Sequence, residues 1–169
     1  MKNSKTAGLT QAAVIAAMYA ALTLCLQPIS FGGGQLRLSE ALTLLPVLTP
    51  AAVPALAVGC LISNLASPFG IIDIVFGTAA TLIAAILSRL TRNVRIKNLP
   101  VMSAVFPVIF NGISVGASIA VMNDGGFTLG VFAVNALTVA LGEAVVCFAL
   151  GLPLCRLLQK TKIFDDNKG

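Results

Sequence analysis

Three carboxylates, Glu40, Asp73 and Glu143, stand in apolar surroundings, where a charge is expensive to place. A carboxylate accepts adjacent N–H donors as a pair, and the amides of Asn64, Asn111 and Asn135 can meet either a carbonyl or an N–H. Together these six side chains have the chemistry to line a ligand site. Arg37 lies three residues before Glu40 in a polar entry, Gly32-Gly33-Gly34-Gln35-Leu36-Arg37-Leu38-Ser39-Glu40, that runs directly into apolar residues 42–65. Two readings of this entry stay open. In one it is a helix start, with Ser39 as N-cap, Glu40 near the positive helix end and Arg37 paired with Glu40. In the other it is the rim of a ligand site facing the outside.

The elements that position these groups follow from composition. Hydrophobic residues make up 57% of the chain and charged residues 10%, and the mean hydropathy is +0.97. Those values describe a polytopic all-α membrane protein rather than a soluble domain. The net charge is +5, but the eleven Lys and Arg sit near the ends and in one central connector, with no stripe of interleaved aromatics. That is a topology signal, not a nucleic-acid footprint. The N-terminal Met-Lys-Asn-Ser-Lys resembles a signal peptide, yet the apolar run after it reaches about 20 residues, a full span, so a retained first helix is expected.

Helices are expected at about residues 9–27, 39–48, 51–66, 71–90, 99–122 and 127–159, within one transmembrane domain over 1–169. Residues 38–66 are the ambiguous piece, because they are long for one span and carry Pro46, Pro50 and Pro54. Charge decides it. Lys2 and Lys5 place the N-terminus in the cytoplasm, and Arg89, Arg92, Arg95 and Lys97 place the connector there too. A single crossing would leave that connector outside, so the segment turns at Thr49-Pro50. The expectation is six membrane helices with both termini cytoplasmic.

Outer turns are expected at Ser67-Pro68-Phe69-Gly70 and Asn123-Asp124-Gly125-Gly126. Asn64 and Asp73 then flank one outer loop, and Phe69 in that loop is placed to stack on a ring or close over it. Asn111, Ser114 and Ser118 fall within about 60° of each other on the fifth helix, beside the small residues Gly112 and Gly116. Asn135 and Glu143 lie within about 80° on the sixth, with Glu143 roughly 20 Å from its outer end. A carboxylate at that depth costs on the order of 3 kcal/mol or more and should face the bundle interior, paired or protonated. On the first helix Ala12/Ala16/Ala20 and Ala13/Ala17/Ala21 form two smooth registers, either of which suits close helix packing. The tail from Phe164 reads as a frayed terminus.

Several chemistries are excluded. There is no histidine, so no zincin site or imidazole relay, and no G-x-x-x-x-G-K-[ST], so no P-loop. The four cysteines are isolated and read as small buried hydrophobes. The acidic residues on helices are single, so no enzyme activity, metal or cofactor is expected. A self-contained ion-coupled carrier or channel, with Glu143 as proton carrier, is the alternative to a binding cup.

Gln35-Leu-Arg-Leu-Ser-Glu-Ala-Leu-Thr-Leu-Leu-Pro46, then residues 59–64, then Pro68-Phe-Gly-Ile-Ile-Asp-Ile-Val-Phe-Gly-Thr78 with Ala-Ala-Thr-Leu82 resemble the QueT family of predicted queuosine-precursor transporters. The resemblance implies the substrate-binding (S) component of an energy-coupling-factor (ECF) importer in the bacterial cell membrane. Its partners would be a transmembrane coupling protein and two ATP-binding-cassette ATPases, which supply the motor this chain lacks. It implies docking on the coupling protein through one of the two alanine registers. The solute would be queuine or an aminomethyl or cyano 7-deazaguanine, or else another vitamin. Arg37, Glu40, Asn64, Phe69, Asp73, Asn111, Asn135 and Glu143 are the candidate substrate contacts from their chemistry, with Glu143 favoured for the base edge and a second carboxylate for an aminomethyl cation.

Overall fold

The computed structural model describes residues 4–32, 36–161 and 163–164. Lys2, Gly33, Gly34, Gln35, Lys162 and residues 165–169 lie outside them. Eight segments carry the fold: α1 (Ser4–Cys25), the single turn α2 (Gln27–Ser30), a 3-10 helix (Leu38–Val47), α3 (Ala52–Asn64), α4 (Thr78–Leu90), α5 (Val101–Val121), α6 (Leu129–Ala144) and α7 (Leu152–Thr161). A π-helical turn, Asp73–Gly77, leads into α4, and a π-helical segment, Val145–Gly151, joins α6 to α7. Four continuous stretches are long and apolar enough to cross a bilayer: Thr6–Cys25, Asp73–Leu90, Val101–Val121 and Leu129–Thr161. The 3-10 helix and α3 are shorter apolar helices. The chain is therefore a multi-pass membrane protein, all-helical among the described residues apart from an isolated bridge between Ile96 and Leu99.

The helices approach each other where side chains are smallest. Ala16 and Tyr19 on α1 face Gly59 on α3, where an added Cβ would come within 2.9 Å of Ala16 O and of Tyr19 Cβ. Gly112 and Gly116 on α5 lie against Ala140 and Ala136 on α6, and a Cβ at Gly116 would sit 2.6 Å from Ala136 Cα. In lipid, where burying a side chain against another gains little over burying it in acyl chains, such backbone proximity is what holds helices together. The turns are as expected, with Gly70 (φ 59°) and Gly126 (φ 76°) in the left-handed region open to glycine.

The centre of the bundle is the 3-10 helix. Every residue from Ser39 to Val47 is buried. A ten-residue 3-10 helix is long for its kind. It holds because it is packed on all sides, including by Gly151, whose missing side chain lets Leu44 and Ala41 approach. Arg89 at the end of α4 donates to Pro46 O (3.0 Å) and Val47 O (3.4 Å), which otherwise belong to the carbonyls a helix end leaves without partners.

This segment corrects one reading of the polar entry. Ser39 is not an N-cap: Arg37 holds that position without a side-chain cap, and the Ser39 hydroxyl meets that of Thr23 at 2.7 Å. Arg37 forms its ion pair with Asp73 instead of Glu40. Two smaller expectations also change. Cys25 is exposed while Cys60, Cys147 and Cys155 are buried, and Phe164 packs against the core beside Leu154 and Leu158 instead of fraying.

One end of the bundle gathers the basic segments. Thr49 donates to Gln11 Oε1 (3.2 Å), Arg89 reaches the end of the 3-10 helix, and Arg95 of the connector donates to Gln159 of α7 (3.2 Å). At the other end Gln27 reaches Ala66 O, and Arg37 meets Asp73.

Candidate functional site

The polar residues from four parts of the chain converge in two connected clusters. The first surrounds Arg37, which is 4% exposed. Its Nη2 lies 3.1 Å from Asp73 Oδ2, its Nη1 donates to Asn64 Oδ1 (3.3 Å), and its guanidinium sits 5.0 Å over the Phe31 ring. Ser67 donates to the same Asp73 oxygen at 2.6 Å. Asn64 in turn donates to the Asp73 carbonyl (2.8 Å), held by the widened turn in which that residue lies. Gly77 makes this possible, because a Cβ there would stand 2.9 Å from Asn64 Nδ2. Helix turns of this π type often occur at functional positions.

The second cluster is built on Glu40 and Glu143. Tyr19 donates its hydroxyl to Glu40 Oε1, and the Glu40 carbonyl accepts from Thr43. Asn111 donates to Glu143 Oε1 at 3.4 Å. The Cys147 thiol lies 3.8 Å from Glu40 O and 4.0 Å from Glu143 Oε2. Arg37 and Glu40 lie three residues apart on one buried segment, which joins the clusters. Glu40 Oε2 and Asp73 Oδ1 are buried acceptors with no hydrogen-bond partner among the described residues. A buried carboxylate oxygen in that condition loses its water without a replacement and is able to accept from a donor.

The expected residues divide accordingly. Arg37, Glu40, Asn64, Asp73, Asn111 and Glu143 come together. Asn135 does not join them, because its amide donates to Val131 O one turn back on its own helix (2.8 Å). Phe69 is half-buried in its turn, with its backbone N–H donating to Ser67 Oγ (3.2 Å). The aromatic ring on the cluster is Phe31, and the phenol in it is Tyr19. The sequence carried a signal for the second, since Tyr19 is the chain's one tyrosine and lies in a helix of small apolar residues. A phenol buried there needs an acceptor.

Hollows border the described part of the bundle elsewhere. An apolar groove of about 370 Å³ runs between α4 and α5 past Phe76, Ile83 and Phe110. A second, of about 300 Å³, lies between α1 and α7. A third, of about 500 Å³, is lined by Gln27, Pro28, Phe31, Ala66 and Pro68. The third reaches the cluster through Phe31, the ring that stacks on Arg37.

Apolar helices long enough to span a bilayer that enclose buried carboxylates, amides and one guanidinium define a multi-pass membrane protein with a polar interior, and two comparisons bear on its class. A family described as QueT transporter matches residues 9–160. The chain belongs to the QueT transporter family. Among curated proteins, the queuosine precursor transporter QueT of Lactococcus lactis subsp. cremoris (strain MG1363) is 38% identical over 85 residues, 49% of this chain. The match spans 50% of that relative's length. No solved structure matches the chain.

Proposed function

We propose that this chain is the S component of an ECF importer that captures a queuosine precursor, a 7-deazaguanine base, from outside a bacterial cell. The carrying observation is the burial of Glu40 and Glu143 on either side of Cys147, with Asn111 donating to Glu143. A guanine-like edge offers adjacent N–H donors to one carboxylate and a carbonyl to the amide. Membership of the family and the relative's name supply the substrate class. Desolvation gives selectivity, because an analogue lacking a donor leaves a buried acceptor unpaired.

The chain crosses six times with both ends cytoplasmic, the four long stretches being joined by the 3-10 helix and α3. The gathering of Gln11, Thr49, Arg95 and Gln159 at one end supports this, since each lies near a basic or terminal segment. Docking on the coupling protein uses Ala13, Ala17 and Ala21. These three are exposed on α1, whereas Ala16 and Ala20 are buried and Ala12 packs on the same core. ATP hydrolysis belongs to two partner ATPases.

Mass spectrometry of the small molecule that accompanies the purified protein tests the substrate class, with a 7-deazaguanine expected. Recovery of an unrelated vitamin, displaced only by itself, overturns it. Uptake in a strain lacking the coupling protein would remove the ECF assignment while leaving the substrate intact.

A further inference from the structure

Resting on the reading of this chain as a 7-deazaguanine binder, we infer that Glu40, positioned by Tyr19, takes a cationic substituent of the ligand, while Glu143 with Asn111 takes the edge of the base. The buried cluster holds three carboxylates, Glu40, Asp73 and Glu143, all at most 2% exposed. Facing them is the guanidinium of Arg37, which is engaged with Asp73 and Asn64. The other groups turned toward the glutamates are neutral donors: the Tyr19 phenol, the Asn111 amide and the Cys147 thiol. Two carboxylates more than the protein's own cation can balance are costly in a dry site, and a ligand ammonium offsets one of them.

The two glutamates are not equivalent. Both Glu143 oxygens have a neighbour, Asn111 on one and Cys147 on the other. Glu40 has Tyr19 on Oε1 only, and its Oε2 is buried without a hydrogen-bond partner among the described residues. The Tyr19 hydroxyl pins one oxygen and thereby aims the second. Tyr19 is fully buried, and its Cβ stands where Gly59 leaves room for it. It is a positioning residue, and Glu40 is the contact.

The test compares 7-aminomethyl-7-deazaguanine with its neutral isostere, 7-hydroxymethyl-7-deazaguanine, by calorimetry on the purified full chain in detergent. Wild type should bind the amine tighter by about tenfold or more, the scale of a charge-assisted hydrogen bond. Glu40→Gln should erase that preference, bringing the two ligands to within a few-fold of each other. Tyr19→Phe, which keeps the ring, should shrink the preference without reversing it. Equal affinities in wild type overturn the assignment and leave the substrate class standing, and this arm needs no variant to fold. A preference that survives in Glu40→Gln also overturns it. Failure of wild type to bind either base overturns the substrate class, and the assignment with it.

Discussion

The guanidinium of Arg37 and the carboxylate of Asp73 meet at 3.1 Å, 36 residues apart in the chain and with almost no solvent at either side chain. This pair closes the polar entry onto the turn before α4, and Ser67 and Asn64 share its load.

Removing one member leaves a buried charge without its counterpart. Asp73→Asn should lower stability by about 3–5 kcal/mol, read as a fall in melting temperature in detergent. The double variant Arg37→Gln/Asp73→Asn should recover part of the loss. Strictly additive losses would mean that the two side chains do not depend on each other.

Glu143→Gln should weaken binding of the 7-deazaguanine by about 2 kcal/mol or more, the worth of a buried hydrogen bond to a charged group. The measurement is a calorimetric titration of variant protein whose melting curve matches wild type. Unchanged affinity would take Glu143 out of the site.

Glycine positions separate packing from propensity. Gly116→Ala should cost about 1–3 kcal/mol, because the new Cβ meets the Ala136 backbone, which cannot swing aside. Gly8→Ala, also in a helix but with open space around it, should be neutral or stabilising by up to about 1 kcal/mol. Equal effects at both positions would argue against the close approach of α5 and α6.

The two alanine registers of α1 should respond differently to bulk. Ala17→Trp should abolish co-purification with the coupling protein and leave solute binding intact, since the position is exposed. Ala16→Leu should instead lower the melting temperature, because Ala16 is buried against Gly59. Normal recovery of the complex with Ala17→Trp would move the docking surface elsewhere.

Much of this molecule was legible in its residues, because lipid imposes simple demands. Long apolar runs, Pro and Gly at turns and basic connectors follow from desolvation and charge alone, and they mark the four stretches long and apolar enough to cross a bilayer. The cost of burying a charge singles out Glu40, Asp73 and Glu143 before any helix is placed. What one dimension could not hold is partnership. Arg37 is three residues from Glu40 and 36 from Asp73, yet it pairs with Asp73, because a 3-10 helix buried on every side turns Glu40 toward Tyr19. Asn135 and Asn111 look alike by type, but Asn135 satisfies its own helix while Asn111 donates to Glu143. The alanine registers are identical in spacing, and only the seat of Gly59 against Ala16 turns one inward. Residue type determines what must be buried or paired, and close packing, acting across the whole bundle, decides with whom.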